Sequence, residues 1–227
     1  MVFILWIFLA GMGLFFLGKF VKHKSLYPFM PFRYDFRRRR DSFRLVLGLL
    51  DRIPATTLVE TGTSREGLKG AKSNGGATLV FGRWAAWNGA RLHSVDINPK
   101  SIASAKAAVD RMDLSEVVQL HLSDSVAFLS DFPDPVDFLY LDSYDYGTDP
   151  EVRRMSQEHH LAEYRAIRHR LHARSAVLID DCDLPGGGKG KLVVAEMLAE
   201  GWRVVYRGYQ ILLVRKELAE EAGLAAV

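Results

Sequence analysis

The sequence predicts an α/β fold, in which a mostly parallel sheet of seven strands has helices on both faces and ends in a C-terminal antiparallel hairpin. From residue 42 onward, short apolar runs of strand character alternate with segments whose apolar residues have helical spacing. Parallel strands need long crossover connections, so the first five strands are expected to pair in parallel. The last two strand-like runs are joined only by Arg207-Gly208-Tyr209, which fits a hairpin.

The individual elements follow from apolar spacing and from local start and stop signals. Pro54 ends the first helix, and Asn98 with Pro99 supplies a cap and a first turn for a later one. The predicted helices are 42–53, 77–87, 100–112, 125–129, 158–171 and 192–200. The predicted strands are 57–60, 92–97, 117–122, 136–141, 176–179, 203–206 and 210–214.

Composition limits the classes of function. The 227 residues are 48% hydrophobic, enough for one substantial core plus an appendage. A formal charge of only +3 argues against a nucleic-acid-binding surface. The single cysteine, Cys182, excludes an intrachain disulfide and a cysteine-rich metal cluster. Composition does not predict the oligomeric state.

The N-terminus is apolar and is followed by basic residues. Residues 1–18 carry no charged side chain, and Lys19, Lys22 and Lys24 follow, with four arginines at 37–40. This order predicts a retained transmembrane anchor in a single-pass membrane protein, with the rest of the chain on the cytoplasmic side. In the alternative interpretation, the segment is an amphipathic or buried helix that covers the domain, and the arginine run is a solvated face.

These features divide the chain into three predicted parts. Residues 1–18 form the anchor, and 19–41 form a basic juxtamembrane linker in which Pro28 and Pro31 prevent a long helix. Residues 42–227 form the folded domain.

Polar residues stand where the first three strands end. The first strand runs into LVETGTSREG, in which Glu60, Gly62 and Gly67 have the acid-x-Gly-x-x-x-x-Gly spacing of a nucleotide-binding turn. The second strand ends at Asp96, where a carboxylate can accept hydrogen bonds from both hydroxyls of a ribose. The third is followed by Asp124 and Ser125. Each could be an ordinary capped or solvated loop, but together they favour a nucleotide-like cofactor.

The motifs and the terminal hairpin resemble those of class I S-adenosylmethionine-dependent methyltransferases, from about Ser42 to Lys216. The resemblance implies a Rossmann-like sheet and S-adenosylmethionine as cofactor. It implies cofactor contacts from Glu60, Gly62, Thr63, Ser64, Asp96, Asp124, Ser125 and Asp142. The turn here is longer than the family pattern, because Ser73-Asn74-Gly75-Gly76 precedes the next helix. Which glycines touch the cofactor therefore stays open.

The fourth and fifth strands run into FLYLDSYDY and AVLIDDCDLPGG. These resemble the metal-dependent catechol-type and macrocin-type O-methyltransferases, which implies a divalent cation held by Asp142, Asp180 and Asp181. Carboxylate oxygens suit magnesium, manganese or calcium, which would lower the pKa of the hydroxyl to be methylated. In the alternative, only Asp142 is functional and orients cofactor or substrate.

The general base is the main departure from the catechol-type pattern. That pattern has a lysine three residues after the fourth-strand aspartate, and this chain has Asp145. His160 and His159 are the candidate bases, beside Asp142, because imidazole titrates near neutral pH. Their alternative is a packed or solvated helix start. Lys189 and Lys191 in PGGGKGK are interpreted as helix-start residues in water, in preference to substrate contacts at the rim of the site.

The expected function is S-adenosylmethionine-dependent and metal-assisted O-methylation. The expected acceptor is a hydroxyl of a small molecule, a sugar or a lipid-linked intermediate, and the membrane is expected as a further partner. The alternative is a non-catalytic cofactor-binding module, which the missing lysine keeps open. A short-chain dehydrogenase is excluded, because the chain lacks the Tyr-x-x-x-Lys pair.

Overall fold

Seven strands form one sheet in the computed structural model, which describes residues 2–23, 36–67 and 76–227. In chain order the strands are β1 Thr57–Thr61, β2 Arg91–Asp96, β3 Val118–Leu122, β4 Val136–Leu141, β5 Leu171–Ile179, β6 Arg203–Arg207 and β7 Ile211–Val214. Their order across the sheet is β3-β2-β1-β4-β5-β7-β6. The first five pair in parallel, and β7 is antiparallel to both of its neighbours. The predicted fold class is therefore confirmed.

Helices cover both faces of this sheet. The described α-helices are α1 Val2–His23, α2 Arg40–Leu50, α3 Ala77–Asn88, α4 Pro99–Arg111, α5 Ser125–Ser130, α6 Pro150–Ile167, α7 Lys191–Ala199 and α8 Lys216–Glu221. Buried side chains of α2, α3 and α8 belong to one hydrophobic cluster. Those of α5, α6 and α7 belong to a second cluster.

The central strands separate these two clusters. In β4, Phe138 and Tyr140 contribute to the first cluster, while Leu139 and Leu141 contribute to the second. Successive side chains of a strand point to opposite faces, so a strand buried on both sides is apolar throughout. All functional side chains on such strands must therefore lie at the strand ends.

The clearest boundary differences concern α6 and β5. Helix α6 begins at Pro150 because the Asp149 side chain accepts a hydrogen bond from the Glu151 amide and proline fits the first helical position. The prediction started this helix at residue 158. Strand β5 begins at Leu171, and an irregularity between Val136 and Phe138 lets it pair with β4 from that point. The prediction started this strand at 176, because His172 to Ser175 is polar.

The transmembrane prediction for residues 1–18 is wrong. Within the described ranges, no helix is long and apolar enough to cross a membrane. The uncharged part of α1 ends at Gly18, and its 17 residues, 2–18, rise about 25 Å at ~1.5 Å each, short of the ~30 Å hydrocarbon core. The expected localisation, a single-pass membrane protein with a cytoplasmic domain, depended on this anchor and is contradicted as well. Most of the predicted linker, 24–35, lies outside the described residues.

Candidate active site

A two-part cleft lies at the carboxyl ends of the central parallel strands. Its larger cavity, about 280 Å³, is lined by Gly62, Val95, Asp96, Ile97, Asp124, Ser125, Ser143, Tyr144 and His159. A smaller cavity, about 190 Å³, is lined by Gly62, Thr63, Arg65, Asp96, Ile97, Asn98, Ser101, Asp142, Ser143 and Asp145. Gly62 and Asp96 line both, so the cleft runs past the ends of β1 and β2 toward β4.

Asp96 is fixed at the centre of this cleft. Its Oδ2 accepts a hydrogen bond from the Thr63 amide at 3.2 Å, and its Oδ1 accepts one from the Asn98 amide at 2.7 Å. Each carboxylate oxygen has a further lone pair, so both can still accept hydrogen bonds from a ligand. A vicinal diol, such as a ribose, matches this geometry.

Gly62 brings the turn after β1 against the end of β4. Its φ is +81°, a conformation that glycine adopts without strain, and an added Cβ would collide with the carbonyl oxygen of Asp142. The turn therefore passes directly beside Asp142. The later part of the turn, 68–75, which includes Ser73-Asn74-Gly75, lies outside the described residues.

Glu60 lies beneath the turn and is not among the residues that line the two cavities. Its Oε2 accepts hydrogen bonds from Thr78 Oγ1 at 2.7 Å and from Ser94 Oγ at 2.5 Å. The Thr78 hydroxyl in turn accepts from the amide of Ser64 at 2.9 Å. Burial raises the pKa of Glu60 to about 8. These contacts indicate that Glu60 positions the turn, and its direct contact with a cofactor stays a prediction.

Asp124 and Ser125 lie at the far end of the larger cavity. Asp124 caps α5, because its side chain accepts from the Ala127 amide at 2.9 Å. Ser125 Oγ lies 3.0 Å from Nε2 of His159, and that nitrogen is 3.3 Å from the buried Glu163. Burial opposes protonation of His159, but Glu163 raises its pKa above the usual value. His159 therefore belongs to the end of the cleft formed by β3 and α5.

His160 faces the protein interior. Its side chain is fully buried, and Nδ1 lies 2.7 Å from the carbonyl oxygen of Ser156, a position that calls for a proton on this nitrogen. Burial lowers the pKa of His160 to about 4, so the ring is neutral near pH 7. His160 lines neither of the two cavities. Its role as base stays a prediction that this placement does not favour.

Three carboxylates meet where β4 and β5 end. Asp142, Asp180 and Asp181 each place an oxygen within 4.8 Å of the others. Burial and the neighbouring Asp180 raise the pKa of Asp142, and Lys189 and Arg39 oppose that rise. We call these three residues the acidic cluster.

Lys189 lies inside the acidic cluster. Its side chain is 1% exposed, and Nζ lies 2.6 Å from Asp142 Oδ1 and 3.1 Å from Asp181 Oδ2. Burial opposes the charge on Lys189, but Asp142 and Asp181 raise its pKa above the usual value. The interpretation of Lys189 as a solvated helix-start residue is wrong, because the loop folds back: its amide donates to the Asp181 carbonyl at 3.1 Å.

Arg39 is a second buried cation in contact with the acidic cluster. Its Nε lies 3.1 Å from both oxygens of Asp180, and its Nη2 also donates to Oδ2. Burial would raise the pKa of Asp180, but Arg39 lowers it below the usual value. The arginine run is therefore not simply a solvated face, since one of its members is buried in an ion pair.

The terminal hairpin also contributes to the acidic cluster. Gln210 Nε2 donates to Asp180 Oδ1 and to the Tyr140 hydroxyl, both at 2.9 Å, and the Tyr209 hydroxyl donates to Asp181 Oδ1. From the sequence, Tyr209 and Gln210 had no assigned role, Lys189 was interpreted as a solvated residue, and Arg39 was not identified. The one sequence feature that indicated a location near the site was the position of Tyr209 and Gln210 in the hairpin that follows β5.

Asp145 has its own cationic partner. Arg65 makes two hydrogen bonds to its carboxylate, at 2.7 and 2.8 Å, across the mouth of the smaller cavity. Asp145, which stands where the catechol-type enzymes have a lysine, therefore links the loop after β4 to the turn after β1.

Comparison with known proteins agrees with this architecture. Residues 72–182 match the sequence profile of a family described as a methyltransferase domain. Together with the sheet topology, this match identifies the fold as that of class I methyltransferases. No curated protein matches its sequence at a significant level.

Solved structures of methyltransferases share this fold at low sequence identity. The S-adenosylhomocysteine-bound methyltransferase PaMTH1 of Podospora anserina is 13% identical, with a TM-score of 0.56 over 89% of this chain and 88% of that one. The O-methyltransferase TomG of Streptomyces achromogenes, involved in tomaymycin synthesis and bound to S-adenosylmethionine, is 15% identical, with a TM-score of 0.50 over 78% and 80%. TrmK of M. capricolum, in complex with S-adenosylhomocysteine, is 13% identical, with a TM-score of 0.51 over 77% and 68%.

Proposed function

We propose that this methyltransferase domain transfers the methyl group of S-adenosylmethionine to a hydroxyl oxygen of a small molecule or sugar. The observation that carries the proposal is the continuous cleft from Asp124, past Asp96, to Asp142. A lipid-linked acceptor was expected because of the transmembrane anchor, so it is not part of this proposal.

The residues of the cleft suit this cofactor. Asp96 would accept hydrogen bonds from the ribose hydroxyls, as its two anchored oxygens allow. Ile97 is 70% exposed although it is aliphatic, and with Tyr144 it lines the larger cavity, where an adenine ring would cover both. Asp124 and Ser125 would face the adenine amine. Ile97 and Tyr144 were not predicted from the sequence as site residues, although they lie within two positions of Asp96 and Asp142, which were.

Asp142 is the residue best placed to orient an acceptor. It lines the smaller cavity, and its Oδ2 has a hydroxyl donor, Tyr140, only at 3.4 Å, a long hydrogen bond. This oxygen can accept a hydrogen bond from an acceptor hydroxyl, direct the oxygen lone pair toward the methyl group, and take the hydroxyl proton as the C–O bond forms and the bond between methyl and sulfur breaks. The cofactor supplies the electrophilic methyl group on its sulfur. The protein holds the acceptor in line with the bond between sulfur and methyl and excludes water.

The arrangement does not fit the divalent cation that the resemblance implies. A hard cation needs several carboxylate oxygens that are free to coordinate it. In the acidic cluster every oxygen except Asp142 Oδ2 already has a close donor from the chain, and Lys189 lies between Asp142 and Asp181. Metal-assisted activation of the acceptor, predicted from the sequence, is therefore not part of the proposed mechanism.

The test is methyl transfer from S-adenosylmethionine labelled with ¹⁴C in its methyl group to a panel of phenols, catechols and sugars. Label in an ether product, identified by mass spectrometry, would support the proposal. Label on nitrogen or carbon would contradict the O-methyl assignment. S-adenosylhomocysteine binding without turnover across the panel would instead favour the non-catalytic module, in which Asp145 replaces a functional lysine.

A further inference from the structure

We propose that Lys189 and Arg39 supply, from within the chain, the positive charge that a divalent cation supplies in metal-dependent relatives, so that this site works without a metal ion. The inference rests on the proposed function, because it concerns the same acidic cluster. Lys189 and Arg39 act as positioning residues, since neither is exposed to an acceptor in the cleft.

The first argument is the occupancy of the ligand atoms. Each of the six oxygens of the acidic cluster accepts a hydrogen bond or ion pair from the chain. The donors are Lys189, Arg39, Tyr140, Tyr209 and Gln210. A cation entering the cluster would have to displace at least two of these donors, leaving buried polar groups without partners, which is costly.

The second argument is charge. Two buried cations face three carboxylates, so at most one negative charge is left uncompensated. A divalent ion bound to Asp142 and Asp181 would contact the same oxygens as the Lys189 ammonium. Two cations at such separations repel strongly in a buried site. Lys189 would have to leave before an ion could bind.

The third argument is that the Lys189 loop is held in place. Gly188 has φ +59°, and a Cβ there would collide with the Asp181 carbonyl oxygen, so this loop runs tightly over the end of β5. Gln157 of α6 donates to the carbonyl oxygens of Gly186, at 3.2 Å, and Gly188, at 3.1 Å. The loop is fixed from both sides, which keeps the ammonium between the two aspartates.

The experiment titrates Mn²⁺ into the full-length protein and follows free Mn²⁺ by electron paramagnetic resonance. The variants are Lys189→Ala, Asp181→Asn and, as a matched control, Lys191→Ala, whose lysine is exposed two positions further along. We expect no stoichiometric binding up to about 1 mM by wild type or Lys191→Ala. We expect Lys189→Ala to gain one site, at least tenfold tighter than in wild type.

One Mn²⁺ bound by wild type and lost in Asp181→Asn would overturn the inference, and so would a folded Lys189→Ala protein with no gain in affinity. If circular dichroism shows that Lys189→Ala does not fold, wild type and Asp181→Asn decide the question. Calorimetric titration of S-adenosylhomocysteine into the same samples separates the two proposals. Cofactor binding with Mn²⁺ in the acidic cluster refutes only the metal-free site, and no cofactor binding refutes the proposed function.

Discussion

Arg39 and Asp180 form a buried ion pair although 141 residues separate them in the sequence. The pair ties the segment before α2 to the end of β5, and Phe36, three residues earlier, is also part of the hydrophobic core. Residues before position 42 therefore contribute to the folded domain and to its acidic cluster.

Arg39→Ala is expected to lower the free energy of unfolding by about 3–5 kcal/mol, because it leaves the buried Asp180 without its cation. Arg38→Ala is the matched control: Arg38 pairs with the exposed Asp183, and a surface pair of this kind contributes about 1 kcal/mol or less. Urea denaturation followed by fluorescence measures both. Equal decreases in the free energy of unfolding would contradict this prediction, because the buried pair would then stabilise the protein no more than the exposed pair does.

Asp96→Asn is expected to weaken S-adenosylhomocysteine binding by about 1.5–3 kcal/mol, through loss of charge-assisted hydrogen bonds. Isothermal titration calorimetry gives the two dissociation constants. Asp134→Asn, in an exposed loop before β4, should bind as wild type does. An unchanged affinity in Asp96→Asn would remove Asp96 from the ribose site.

Glu60 predicts a specific pH dependence of stability. Its folded-state pKa, about 8, lies above the ordinary value of 4.5, so between these values the folded protein holds a proton that the unfolded chain has lost. Stability should therefore fall as pH rises from about 5 to 8, by at most about 1.4 kcal/mol per pH unit from this group.

Glu60→Gln isolates this contribution, because the amide does not titrate. The free energy of unfolding of the variant minus that of wild type should rise across pH 5 to 8. The contribution of His160, which titrates in part of this range, is the same in both proteins and therefore cancels in the difference. A difference that stays flat with pH would mean that Glu60 is ionised in the folded protein.

Gly62→Ala should cost more stability than Gly89→Ala. Both glycines have positive φ, +81° and +69°, so both variants carry the strain of a left-handed residue, about 1–2 kcal/mol. Only at Gly62 would the methyl group also collide with the Asp142 carbonyl, whereas Gly89 has no atom within 4 Å of the added Cβ. Chemical denaturation should rank the variants in that order, and cofactor binding should be lost only in Gly62→Ala. The reverse ranking would contradict the close approach of the turn to β4.

The fold could be predicted because its signals are local. Apolar runs such as Val136–Leu141, and caps such as Asn98, fix element type within a few residues, and parallel pairing then brings strand ends to one edge. That reasoning also placed Asp142, Asp180 and Asp181 in one group. The N-terminal prediction failed because its uncharged run is only at the lower limit of the length that a membrane span needs.

The partners of the acidic cluster could not be predicted, because they come from distant parts of the chain. Lys189 is 47 residues from Asp142, and no local pattern distinguishes it from the solvated Lys191. The different surroundings of His159 and His160 could not be predicted for another reason. Neighbouring residues of a helix point about 100° apart, so one ring reaches the cleft and the other enters the core. The sequence alone does not show which face of α6 is turned inward.

The donors that surround the acidic cluster come from both ends of the domain, Arg39 ahead of the first strand and the Tyr209-Gln210 pair in the last hairpin. During synthesis, Asp142, Asp180 and Asp181 leave the ribosome before that hairpin does. Until it docks, Asp180 and Asp181 each lack one of their partners. Completion of the acidic cluster therefore waits for the hairpin: a polypeptide truncated before residue 209 would contain all five parallel strands and still lack the Tyr209 and Gln210 donors.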